Sequence, residues 1–153
     1  MKKRSKRLEL IVDIKANQEQ KALEMLGQSQ RQHTEMKRQV DGLANYRGDY
    51  VDKCNAFARD GVQVSRLIEF RSFIDKLDIA IAGQEKILKN IEQSVQMNRR
   101  MWEYSHHSTQ TIRKVRESAL KVEQKHENKR EQAEQDEHAS RLGRKKLTGY
   151  AAY

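Results

Sequence analysis

Proline is missing altogether from these 153 residues, where average usage of about 5% would put roughly seven or eight. Nothing in such a chain breaks a helix interior, so very long helices are permitted. Glycine is scarce, with 7 residues, and aromatics make up only 6%. The apolar fraction of 36% is too small for several layers packed around a globular core. A single cysteine, Cys54, rules out any intrachain disulfide; it lies on an apolar stripe, where a packed thiol is expected. No apolar run approaches the length of about 20 residues that spans a bilayer. The basic start, Lys2, Lys3, Arg4, Lys6 and Arg7, is followed by Glu9, Asp13 and Lys15 rather than by an apolar stretch. No secretory leader is therefore expected, and a reducing cytoplasm is the expected compartment.

What the chain does have is charge, 35% of its residues, and a three-four ladder. The positions are Leu67, Phe70, Ile74, Leu77, Ile81, Gln84, Leu88, Ile91, Val95, Asn98, Trp102, Ser105, Thr109 and Ile112. Alternating steps of three and four, sustained without a slip, mark the buried seam of a coiled coil. A weaker copy occupies the first half: Leu8, Val12, Lys15, Glu19, Ala22, Leu26, Ser29, His33, Met36, Val40, Leu43, Arg47, Tyr50, Cys54 and Phe57. Lys15, Glu19 and Arg47 intrude as polar members.

Between the ladders, Asp60-Gly61 is a turn signal, Val62 and Val64 favour extended chain, and Ser65 is a candidate helix N-cap. The spacing predicts a first helix from about Arg7 to Arg59, a turn over about 60–65 and a second helix from about Arg66 to Arg141. Gly143 and Gly149 are expected to end helical order, leaving Arg144, Lys145 and Lys146 on a mobile basic tail over 142–153. A short turn between long helices favours an antiparallel hairpin. With Phe57 opposite Leu67, Cys54 meets Phe70, Tyr50 meets Ile74, Leu43 meets Ile81, Met36 meets Leu88, and small Ala22 meets Trp102. The expected fold is all-α: one unit over 1–153, a long antiparallel two-helix coiled-coil hairpin with a frayed, charged C-terminal extension.

Catalytic and metal chemistry find no support in the residue pattern. His106 and His107 are adjacent and cannot face one ion from a helix, and neither a zinc-binding His-Glu-x-x-His nor a cysteine pair exists. No catalytic, cofactor or metal residues are expected, and no enzyme. Beside the seam run Phe73, Ala80 and Ile87 at heptad spacing, with Tyr46 and Tyr50 one turn apart on the first helix. An apolar stripe beyond the seam either widens the seam or marks a contact surface. The net charge of +9 points to an acidic partner surface, nucleic acid or anionic lipid. A basic nucleic-acid-binding coiled coil is one alternative, weakened by the lack of clustered stacking aromatics.

The run Leu43-Ala44-Asn45-Tyr46-Arg47-Gly48-Asp49-Tyr50, then Asn55 and Gly61, then Leu67-Ile68-Glu69-Phe70-Arg71-Ser72-Phe73-Ile74-Asp75-Lys76-Leu77, closely resembles the flagellar FliJ family. The likeness continues through Ala80-Ile81, Gln84, Val95, Arg99 and Trp102 to Asp136-Glu137, Ala139 and Arg141. Stalk proteins of virulence injectisomes, of the YscO type, are a related alternative. The resemblance implies a non-enzymatic cytoplasmic component of the flagellar type III export apparatus, without cofactor and without a nucleic-acid partner. It implies a central shaft for the ring of the export ATPase FliI, contact with the cytoplasmic domain of the export gate protein FlhA, and binding of flagellar substrate chaperones. Its expected place is the cytoplasmic face of the inner membrane, held peripherally through protein partners. The gate-contact positions it implies match Gln39, Leu43, Tyr46, Tyr50, Phe73, Leu77, Ala80 and Gln84. A hairpin would also gather Lys2, Lys3, Arg4, Lys6 and Arg7 near Lys114, Arg116 and Lys121, the expected contact set for the ATPase.

Overall fold

The computed structural model describes residues 3–151, with side chains described as far as 149. Two helices account for nearly all of them: α1, Arg4–Arg59, of 56 residues, and α2, Val64–Ala151, of 88. The described chain divides into two units. One comprises residues 18–106, the other residues 1–17 with 107–153. In a two-helix hairpin a residue touches only what lies at its own level, so contacts group by level.

In the unit formed by 18–106, α1 reverses into α2 through Asp60–Gln63. The amide of Asp60 donates to the carbonyls of Ala56 and Phe57, each at 3.2 Å. Gly61 follows with φ of 86°, a left-handed conformation that costs a side-chain-bearing residue about 1–2 kcal/mol. The carbonyl of Gln63 then accepts from the amides of Arg66 (3.1 Å) and Leu67 (3.3 Å). Gln63, not Ser65, therefore stands at the cap, and Val64 begins the helix despite its β-branch. Once the turn has placed the chain against α1, packing overrides so weak a preference.

The ladders set which faces meet. In this unit Leu26, Ser29, Val40, Cys54 and Leu77 are buried, and the other expected seam positions are half-buried, Phe57 excepted. Phe57 is exposed because the turn ends the groove there; its ring stacks on Phe70 at 5.9 Å. The antiparallel register follows the expected one. Arg47 should face Leu77 and hydrogen-bonds the next residue, Asp78. His33 should face Ile91 and meets Glu92 at 3.2 Å, and Glu19 should face Ser105 and meets His106 at 2.6 Å. Each cross-pair lies one residue to the side of the seam. Trp102 keeps its seam place, half-buried, with its ring stacked on His106 at 5.2 Å.

In the other unit, the start of α1 packs on α2 from residue 107 onward. Ser5, Val12, Thr109 and Ala119 are buried. The seam runs past Ile112 in the same steps to Arg116, Ala119 and Glu123, where Ser5 closes it. Helix α1 starts at Arg4 rather than near Arg7, because the carbonyl of Lys3 accepts from the amides of Lys6 (3.1 Å) and Arg7 (3.3 Å). Every described side chain after Glu123 is exposed.

Helix α2 does not stop near Arg141. It continues through Gly143 and Gly149 to Ala151, so the mobile tail expected over 142–153 is helical as far as it is described; Ala152 and Tyr153 lie outside the described residues. Glycine inside a helix costs about 1 kcal/mol relative to alanine, a handicap rather than a stop. Neither glycine has the positive φ that ends α1 at Gly61. Pairs along the helix, Arg130 with Glu134 at 3.9 Å and Arg141 with Glu137 at 2.8 Å, support this polar stretch.

Candidate partner-binding faces

Two sets of side chains stand out from the packing, one in each unit. In the unit of residues 18–106, near the turn, an aromatic cluster straddles the seam. Tyr50 lies 4.7 Å from Phe73 and 6.0 Å from Phe70 between ring centroids, and Tyr46 lies 6.4 Å from Tyr50 and 6.5 Å from Phe73, edge to face in the last case. The heptad decides which rings turn outward. Tyr50 and Phe70 are seam members and half-buried; Tyr46 and Phe73 are flank positions, 51% and 38% exposed. Burial, and then the neighbouring Cys54 thiol, push the Tyr50 phenol above its ordinary range.

The eight residues implied as gate contacts divide along the same line. Gln39, Tyr46, Phe73 and Ala80 are exposed on one flank. Leu77 is buried, and Leu43, Tyr50 and Gln84 are half-buried in the seam. Leu77 supports the face from beneath, and Leu43, Tyr50 and Gln84 reach it at their partly exposed edges. The Gln84 side-chain oxygen is buried with no hydrogen-bond partner among the described residues. The opposite flank is closed by Arg47, whose guanidinium is held above its ordinary range by its hydrogen bond to Asp78.

The second set is the cationic one, in the unit of residues 1–17 with 107–153. Lys2 lies outside the described residues. Lys3, Arg4, Lys6, Arg7, Lys114 and Lys121 are exposed. Arg4 and Lys114 line one shallow groove with Glu123, so the chain start and α2 do bring basic groups together. Sequence reasoning missed the acids set among them. Lys3 approaches Glu127 and Arg116 approaches Glu9, each at 3.9 Å. Arg116, half-buried, faces its own hairpin. The Glu123 carboxylate accepts from the Ser5 hydroxyl at 2.7 Å and the Ser5 amide at 3.0 Å. These two bonds, the hydroxyl's first, hold Glu123 below the usual carboxylate range. The basic group is therefore partly neutralised, and its free cations are fewer than a count along the chain implies.

Two long helices packed along one seam define the chain as an all-α helical hairpin. The family described as Flagellar FliJ protein matches residues 4–148, and the chain belongs to that family. It is similar to the Flagellar FliJ proteins of Salmonella typhi and of Escherichia coli (strain K12), 24% identical to each over 139 residues that span 91% of this chain and 95% of the relative. No solved structure matches it. Among the described residues no helix is long and apolar enough to cross a membrane.

Proposed function

We propose that this flagellar export component works without catalysis of its own, as a shaft that joins two larger machines. The exposed flank of Tyr46 and Phe73, with Gln39 and Ala80 beside them, meets the cytoplasmic domain of the export gate protein FlhA. The cationic set around Lys3, Arg4, Lys6, Arg7, Lys114 and Lys121 meets the ring of the export ATPase FliI. Flagellar substrate chaperones are further partners, and the whole acts at the cytoplasmic face of the inner membrane through these protein contacts. Family membership over nearly the whole chain carries the reading. The physics of the two faces supports it: an aromatic pair half in water is the kind of anchor that dominates an interface, and clustered cations steer an acidic surface into place.

The test is reconstitution. The full chain, bearing an affinity tag, is mixed with purified export ATPase and with the purified gate domain, separately and together. The reading predicts that each is retained and that both are retained at once. Failure to retain either would sink it, and mutual exclusion would sink the shaft role.

A further inference from the structure

Within residues 18–106 the two flanks of the seam are chemically opposite. One flank is closed by cross-helix pairs: Arg47 with Asp78, His33 with Glu92, Glu19 with His106. At the mirror positions of α2 stand Phe73, Ala80, Ile87, Ser94 and Met101. The α1 positions across from them, at heptad spacing from Gln18 to Tyr46, are likewise uncharged. In a chain that is 35% charged, such flank positions are where coiled coils ordinarily place Glu and Lys. The asparagine Asn98 reaches over to the carbonyl of Met25 at 3.5 Å, which puts Met25 at the level of Asn98, between Met97 and Met101.

Away from the turn the uncharged flank widens. Met97, Met101 and Tyr104 follow one another by four and three residues, so they form one stripe, and they are 64%, 52% and 78% exposed. Methionine adapts its shape to whatever helix it meets. Cations border the stripe: Arg100 between Met97 and Tyr104, Lys86 beside Ile87, and Lys21 on α1, none of them in an ion pair among the described residues. Two acids lie on the α1 side: Glu35, held by Arg38 at 2.9 Å, and Glu24, exposed beside Met25 and three residues after Lys21.

We propose that this turn-distal stripe is the docking face for one amphipathic α-helix of a partner protein, with apolar residues at i, i+3 or i+4 and i+7 and acidic residues beside them. An amphipathic helix is read by that spacing, and the cationic border selects acidic neighbours. A second copy of this chain, packed antiparallel on Met101, would set Arg100 close to its own copy near the two-fold axis, so an acidic helix is the better match. The stripe lies on the same side of the seam as Tyr46 and Phe73 but several turns farther from the turn, and it depends on neither the ring nor the gate.

The probe is a fluorescein-labelled designed helix of about 21 residues, three heptads, with leucine at a and d and glutamate at e and g. Its counterpart carries lysine at e and g. Fluorescence anisotropy with the full chain should show saturable binding of the glutamate peptide and binding of the lysine peptide weaker by about tenfold or more. Joint substitution Met97→Ser with Met101→Ser should weaken the glutamate peptide by about tenfold, whereas Tyr46→Ala leaves it unchanged. Placing photoreactive p-benzoylphenylalanine at position 104 of the full chain should crosslink the glutamate peptide, and this arm decides alone if the serine variant loses helicity. Equal binding of the two peptides, no loss in the serine variant, or no crosslink overturns the proposal. So does sedimentation showing that the chain alone is a dimer which the serine variant dissociates, since the occupant would then be a second copy.

Discussion

Replacing Leu77 by alanine asks whether the hairpin is held by its seam. Leu77 is 9% exposed, a buried side chain of α2 beside the aromatic cluster. The change removes three carbons, each worth about 0.8 kcal/mol when buried, or about 2.4 kcal/mol in transfer terms. Leucine-to-alanine changes in closed cores cost about 2–5 kcal/mol because a cavity adds to the loss. Here the neighbouring seam residues are themselves half-buried, so the gap opens to water and little cavity cost is added. The expected loss is about 2–3 kcal/mol. Gln93, exposed on the outer face of the same helix, is the comparison, and Gln93→Ala should change stability by about 0.5 kcal/mol or less. Urea unfolding followed by circular dichroism, repeated at two protein concentrations, measures both. If Leu77→Ala costs no more than Gln93→Ala, the seam does not hold the hairpin and the packing argument fails.

Gly61→Ala should destabilise by about 1–2 kcal/mol, because Gly61 ends α1 at φ 86° and an L side chain is strained there; an unchanged urea midpoint would mean that the turn forms some other way. Ser5→Ala tests the cap on Glu123. With its folded-state value lowered by Ser5, Glu123 contributes stability that is fully present above its unfolded-state value, about 4.3, and is lost as pH falls through the lowered folded value. The wild-type advantage over Ser5→Ala should therefore shrink on acidification through that window and not on raising pH from neutrality. An advantage that does not depend on pH would assign Ser5 a packing role only.

Both ladders were legible because burial in a two-helix hairpin has one period and no competing layer. Apart from Phe57 at the turn, every expected seam residue is at least half-buried. The register was legible as well, since turn length limits how far the helices can slide. The departures have local causes. Gln63 took the cap by its backbone carbonyl, which no side-chain preference signals. Helix α2 crossed two glycines that a propensity reading takes as stops. The pairing of His33 with Glu92, a position off the ladder, appears only once the register sets them side by side. The cationic set seemed freer along the chain than it is, since Glu9, Glu123 and Glu127 reach it only once the helices pair. The uncharged flank was visible in part, in Phe73, Ala80 and Ile87. Its continuation to Met97, Met101 and Tyr104 shows itself only when the two sides of the seam are compared.

The most direct test of the two-face account is binding of variants to each partner at low and high salt. Tyr46→Ala and Phe73→Ala should cost about 1–3 kcal/mol toward the export gate domain, with little salt dependence, because apolar contact is lost. Replacing Lys3, Arg4, Lys6 and Arg7 by glutamine should weaken ATPase binding chiefly at low salt, where their charge is least screened. Both sets lie off the seam, so helical content should be kept. If the aromatic and the basic variants lose the same partner with the same salt response, the chain does not work through two separate faces.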